Sequence, residues 1–331
     1  MTPALEVRNL TVDIEVPTGT LHAVRDVSFT LAPEETFCLV GESGCGKTMT
    51  ALAIMGLLPK RATRTAERLA LHGVDLTSLP GSALADIRGA RISMIFQDAT
   101  SALNPVFTLG SQLEEVYLRH RKATRAEARE RAEFLIARLG ISSPELRLRQ
   151  YPHELSGGMR QRMMIAMALM CEPRVVIADE PTTALDVTVQ AQILDLLVEL
   201  QQELKLALLF VAHDLGVVAN VGHRVAVMYA GEIVETGTID DVFSAPTHPY
   251  TQKLMACIPR RGQPLGTIAG MVPTLIGEVS GCLFRNRCER ADPACEAGIV
   301  ALEDAGGGQL YRCVRSATEL RRPQPEVEEP T

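Results

Sequence analysis

Four apolar runs rich in β-forming residues, Thr36–Val40, Ile92–Phe96, Val175–Ala178 and Leu206–Ala212, are spread along the chain. Their hydrophobicity is continuous and not alternating, the pattern of parallel strands covered by helices on both faces. Segments with helical spacing separate them. In Arg125–Leu139, Phe134, Leu135 and Leu139 are spaced for one buried stripe; in Val189–Leu204, Ile193, Leu196, Leu197 and Leu200 repeat the pattern. A further helical stretch, Met49–Leu58, follows the first strand directly. Strand–helix alternation of this kind predicts a doubly wound or related α/β layer architecture. Around Gly231 the texture changes, and after Thr247, His248, Pro249 and Tyr250 come many Gly, Pro and Arg residues. A boundary near residue 245 follows, with a large α/β unit over 1–245 and a smaller one over 246–331. The end of the second unit, Arg322 to Thr331, is rich in Pro and Glu and reads as a disordered tail.

Composition adds a few exclusions. Hydrophobic residues make up 46% and charged residues 22% of the 331, ordinary for a soluble globular protein. The formal charge of −7 argues against a nucleic-acid-binding stripe. The most apolar runs, Leu206–Ala212 and Met163–Met170, fall far short of the roughly 20 residues that cross a bilayer. The first residues lack the basic and apolar regions of a secretory signal. A cytoplasmic protein is expected, reaching a membrane only through a partner. Its eight cysteines then read as free thiols or metal ligands and not as disulfides.

The first strand leads into Gly41, Glu42, Ser43, Gly44, Cys45, Gly46, Lys47 and Thr48, which fit the phosphate-binding pattern G-x-x-x-x-G-K-[ST]. Glycines let such a loop curl so that backbone N–H groups face phosphate oxygens, and the following helix turns its positive end to the same anion. Lys47 adds a point charge near the β- and γ-phosphates, and Thr48 offers a hydroxyl to Mg²⁺. The third strand ends in Asp179 and Glu180. Ligands of open parallel sheets gather at the carboxyl ends of strands, so both carboxylates reach the loop's phosphate. Asp179 suits Mg²⁺ coordination, and Glu180 suits polarising the attacking water. The other two runs end in Gln97 and His213. Each alone is an ordinary structural residue; at the same sheet edge, Gln97 reads as a ligand of Mg²⁺ or its water and His213 as a γ-phosphate contact. Cys45 is either a redox-sensitive thiol or a small residue tolerated at a variable loop position.

Ser156 at a helix start is a conventional cap, and Gly157 and Gly158 leave backbone N–H groups open to an anion. Here Leu155-Ser-Gly-Gly-Met159 resembles the signature of ATP-binding-cassette ATPases. The phosphate loop, Gln97, Val175–Glu180, the loop Thr183 to Asp186 and His213 follow in that family's order over about residues 1–240. The resemblance implies a P-loop cassette with a parallel-sheet core, an antiparallel β subdomain and a helical subdomain at about residues 98–165. It also implies a head-to-tail pair of cassettes sandwiching two ATP molecules. Ser156 and Gly158 then act on the nucleotide held by the other subunit, and Asp186 lies at the dimer seam. The family usually sets an aromatic ring under adenine from the early β region. Leu10 to Ile14 and Val16 offer only aliphatic side chains there.

Finer resemblance runs through Met94–Pro105, Ala178–Val187, Met228–Gly237 and His248–Thr251, which are similar to the ATPase subunits of bacterial oligopeptide, dipeptide and nickel importers. It implies an ATPase peripheral to the inner membrane's cytoplasmic face. Its partners are a second cassette, often a paralogue, two membrane permease subunits and an external solute-binding protein. The alternatives are import of nickel or another solute, and a non-transport cassette ATPase acting on nucleic acid or ribosomes. No nucleic-acid partner is expected.

Cys282, Cys288, Cys295 and Cys313 lie in loop-like sequence without the two-residue spacings of zinc ribbons. Free thiols, structural zinc and a [4Fe–4S] cluster all remain open on spacing. The importer resemblance, with Ile268–Pro273 preceding the cysteines, implies the iron–sulfur cluster.

Overall fold

The computed structural model describes residues 2–183, 185–258, 266–296 and 298–322. Ala184 of the Thr183–Asp186 loop and the tail beyond 322 lie outside them.

The four apolar runs become neighbouring strands that form one end of an eight-stranded sheet. Strands Arg224–Tyr229, Thr36–Val40, Ala207–Ala212, Val175–Asp179 and Ile92–Ile95 lie side by side, all parallel. Thr36–Val40, Val175–Asp179 and Ala207–Ala212 are buried at every position, which is why their sequences do not alternate. Phe96 leaves the sheet and is 37% exposed, so the second run is one residue shorter than its hydrophobicity suggests. Helix Lys47–Met55 stops at Gly56, whose φ of 64° closes the C-terminus in the left-handed conformation.

A second, antiparallel sheet is built from Leu5–Val16 and Gly19–Leu31, with Ala62–Thr65, Arg68–Leu71 and Val74–Asp75 added to it. It shares an apolar core with one face of helix Lys47–Met55 and the inner face of the parallel sheet. Helices Leu109–His120, Arg125–Arg138 and Gly157–Leu169 form the predicted helical region on the other side. In Arg125–Arg138 the buried stripe is Ala128, Ala132, Leu135 and Ile136. Phe134 is not part of it. The ring is 58% exposed and lies under the Arg131 guanidinium, 5.6 Å from its centroid, a cation–π contact that an apolar spacing rule does not register. Ile193, Leu196, Leu197 and Leu200 are buried along Val187–Glu203 as the periodicity predicts.

Residues after 245 are woven into the larger unit. The hairpin Glu303–Gly306 and Gln309–Tyr311 pairs onto Glu232–Thr238 and extends the parallel sheet by an antiparallel edge. Glu235, fully buried, accepts from the backbone N–H groups of Thr247 (2.7 Å) and His248 (2.9 Å) and from Gln309 Nε2 (2.6 Å). Among the described residues, no helix is long and apolar enough to cross a membrane.

Candidate functional site: a phosphate loop and four strand ends

The carboxyl ends of the parallel strands bring the predicted chemistry together. Gly46, at φ 106°, caps helix Lys47–Met55, and a Cβ there would lie 2.5 Å from the carbonyl oxygen of Ala23. No other residue fits both the left-handed turn and that approach. The Lys47 ammonium, 4% exposed as a residue, donates to the carbonyls of Gly41 (2.8 Å) and Glu42 (3.0 Å). It also sits 3.7 Å from Glu180. The Thr48 hydroxyl donates to Asp179 Oδ1 at 3.1 Å. Burial lifts the Asp179 carboxyl to about 6, with the Thr48 hydrogen bond opposing. A hydroxyl and a buried carboxylate in contact are a hard-oxygen pair that fits Mg²⁺, and a bound cation would pull the carboxyl back down.

Glu180 is the hub. Its Oε2 accepts from Gln97 Nε2 (3.1 Å) and the Thr183 hydroxyl (3.0 Å) and lies 3.1 Å from His213 Nδ1. The hydrogen bond from His213 holds the Glu180 carboxyl below its ordinary value despite partial burial, and the same contact raises His213. Glu180 sits at φ 45°, unusual for a side-chain-bearing residue, and its N–H donates to Val211 O at 2.9 Å. Gln97 and His213 therefore meet on Glu180 beside the loop, and Asp179 joins the loop through Thr48.

Cys45 is the exception within the loop. Its thiol is fully buried beneath it, 3.8 Å from the Lys47 ammonium, and burial pushes its pKa up. The side chain therefore faces the core, as a small residue filling space.

Ser156, Gly157, Gly158 and Asp186 do not line the cleft above Lys47. Ser156 caps helix Gly157–Leu169, accepting from Met159 N, and Asp186 caps Val187–Glu203, accepting from Val189 N at 2.9 Å. Gly158 is needed where these helices meet: a Cβ would lie 2.8 Å from Val189 Cγ1.

The cleft holds about 800 Å³, room for a nucleotide. Its walls include Glu42, Ser43, Gly44, Lys47, Thr48, Gln97 and Glu180, then Ile14, Leu21 and His22 of the antiparallel sheet. The surprise is residues 270–275, which line it from the C-terminal unit. Sequence reading misses them because no local periodicity links residue 270 to residue 42.

The four C-terminal cysteines are neighbours. Burial pushes Cys282 up to about 11, and the nearby Cys313, Cys295 and Cys288 add to the rise. Among the described residues, however, no group of three or more His, Cys, Asp or Glu is arranged to hold a metal ion. As they stand, the four thiols do not form the expected iron–sulfur ligand set.

Comparison with known proteins gives the family. Residues 24–183 match the family model described as ABC transporter, and 234–295 match that of the oligopeptide/dipeptide transporter C-terminal region. The dipeptide transport ATP-binding protein DppD of Bacillus subtilis (strain 168) is 49% identical over 300 residues, 89% of this chain and 90% of that protein. The dimeric, post-hydrolysis ATP-binding cassette MJ0796, bound to ADP and Pi, matches with a TM-score of 0.64 at 25% identity, covering 71% of this chain and 98% of its own. The cbiO1 subunit of Clostridium perfringens, part of the ABC transporter complex cbiONQ, matches with a TM-score of 0.63 at 26% identity, covering 74% and 92%. Identity of this order across most of both chains shows the family: this chain belongs to the ABC transporter ATPases whose cassette continues into an oligopeptide/dipeptide transporter C-terminal region.

Proposed function

We propose that the chain hydrolyses ATP to drive uptake of dipeptides or oligopeptides, working on the cytoplasmic face of the membrane beneath two permease subunits supplied by an external solute-binding protein. The convergence of Lys47, Gln97 and His213 on Glu180, with Thr48 and Asp179 paired beside it, carries the hydrolytic reading. The peptide reading rests on relatives such as the B. subtilis dipeptide transport protein. Lys47 and the loop amides would hold the β- and γ-phosphates. Thr48 and Asp179, with Gln97 through water, would hold Mg²⁺, which supplies charge neutralisation. Glu180 takes a proton from the water whose oxygen attacks the γ-phosphorus, while ADP leaves; His213 orients Glu180 and reaches toward the γ-phosphate. Ser156, Gly157 and Gly158 act on the nucleotide of the facing cassette, with Asp186 at the seam. Their absence from the cleft of their own chain supports that arrangement. The exposed pair Val106 and Phe107, just past Gln97, supports contact with a permease near the catalytic edge.

Purified from its own membranes in detergent, the chain should come out with two polytopic permeases. Reconstituted with a binding protein, that complex should take up labelled dipeptide only with ATP. A chain that leaves the membrane fraction free of permeases, or a complex that imports nickel but no peptide, would sink the peptide reading.

The four cysteines are proposed to bind a [4Fe–4S] cluster, supported by four thiol donors on one short unit; taking it up requires them to leave their present arrangement, which holds no metal-ligand group among the described residues. Anaerobically purified protein should contain about four iron atoms with acid-labile sulfide per chain. Stoichiometric zinc without iron would replace this reading with a structural zinc site.

A further inference from the structure

Residues 268–277 cross the nucleotide cleft as a strap fastened at both ends. At one end Arg287 Nε donates to Ala269 O (2.8 Å) and a terminal nitrogen to Ile268 O (3.2 Å). The same guanidinium forks onto both Glu42 oxygens of the phosphate loop, at 2.7 and 2.9 Å. Its side chain is only 5% exposed, and it lies over the rings of Tyr229 and Phe284. At the other end the strap pairs with strand Gly19–Leu31: His22 N donates to Leu275 O (2.9 Å), Gly277 N to Thr20 O (3.2 Å), and Leu21 bridges Ile276. The span between these fastenings lines the cleft, and Met271 is 88% exposed.

The cleft is thus polar at the loop and apolar where Ile14 and Leu21 face the strap. We propose that the strap is the base-binding wall of the nucleotide site, with Met271 covering the adenine face that no aromatic side chain of Leu5–Val16 is present to cover. This deepens the ATPase reading above and rests on it. A nucleotide with its phosphates on Lys47 has an apolar, flat base to place, and the apolar end of the same cleft receives it. A thioether is suited to that contact, since sulfur is polarizable and the side chain adapts to an aromatic face. Arg287 is a positioning residue in this scheme, fixing strap and phosphate loop to each other through one planar group.

The test compares ATP and inorganic tripolyphosphate binding to the full chain by calorimetry with Mg²⁺. Met271→Ala should weaken ATP roughly ten-fold, the effect of uncovering one large apolar side chain's contact. It should leave tripolyphosphate unchanged, and Met271→Leu should recover most of the ATP affinity. If Met271→Ala binds ATP within about two-fold of the parent, or loses tripolyphosphate in parallel, the strap is not the base wall. Lys47→Ala separates the two readings: it should lose both ligands, and its retention of both would overturn the phosphate-loop assignment itself.

Discussion

Glu180→Gln should bind ATP as the parent does and lose turnover by roughly a hundred- to ten-thousand-fold, the range set by removing a general base. The amide keeps the shape of the carboxylate and can still meet Gln97, Thr183 and His213. What it loses is the capacity to take a proton from water. Binding and chemistry should therefore separate. The variant should accumulate as an ATP-bound pair of cassettes, seen as a doubled mass in size-exclusion chromatography with ATP and not with ADP. Turnover should be measured with both cassettes present, since Ser156 and Gly158 stand outside the cleft of their own chain. Phosphate release within about three-fold of the parent would remove Glu180 from the role of base.

The second large effect is on stability. Glu235→Ala should cost about 3–5 kcal/mol and lower the thermal midpoint by on the order of 10 °C, followed by circular dichroism. The carboxylate satisfies two backbone N–H groups and one amide, all from residues that are themselves buried: Thr247, His248 and Gln309. Alanine removes the acceptor and leaves three donors in the interior without a partner, and a buried donor of this kind costs about 1–3 kcal/mol. Glu235→Gln should fall between, keeping one oxygen but turning an NH₂ group toward existing donors. A midpoint shift below about 2 °C for the alanine variant would show that water reaches the site and that Glu235 is not a structural hub. Glu180→Gln, by contrast, should leave the midpoint close to the parent's.

The meeting of strand ends was legible because its signals are local. Gln97, Asp179, Glu180 and His213 each follow an apolar run that can only be a buried strand, and parallel strands deliver their ends to one side. Lys47 and Thr48 sit in a loop whose glycine pattern has few other uses. The rest of the site was hidden for the same reason in reverse. The fork from Arg287 to Glu42 spans 245 residues, and nothing near either residue announces the other. The strap has no periodicity, and its six cleft residues include a glycine and a proline, which read as loop. Phe134 shows a different limit. Its spacing belongs to a buried stripe, yet a cation over an exposed ring is an acceptable home for an aromatic side chain. Capping explains what a motif alone could not: Ser156 and Asp186 hold helix ends within their own chain, whatever they do for a facing one.

The strap also sets a timetable. His22 Nε2 meets the carbonyl of Gly277 across 255 residues of chain. At ribosomal rates of roughly 5–20 residues per second, the first half of that contact waits on the order of 10–50 seconds for the second. The phosphate loop emerges early and the opposite side of its cleft arrives last. A nascent cassette therefore spends most of its synthesis with an unfinished nucleotide site, and a chain truncated before residue 268 would carry every ATPase motif while lacking one side of the pocket they serve.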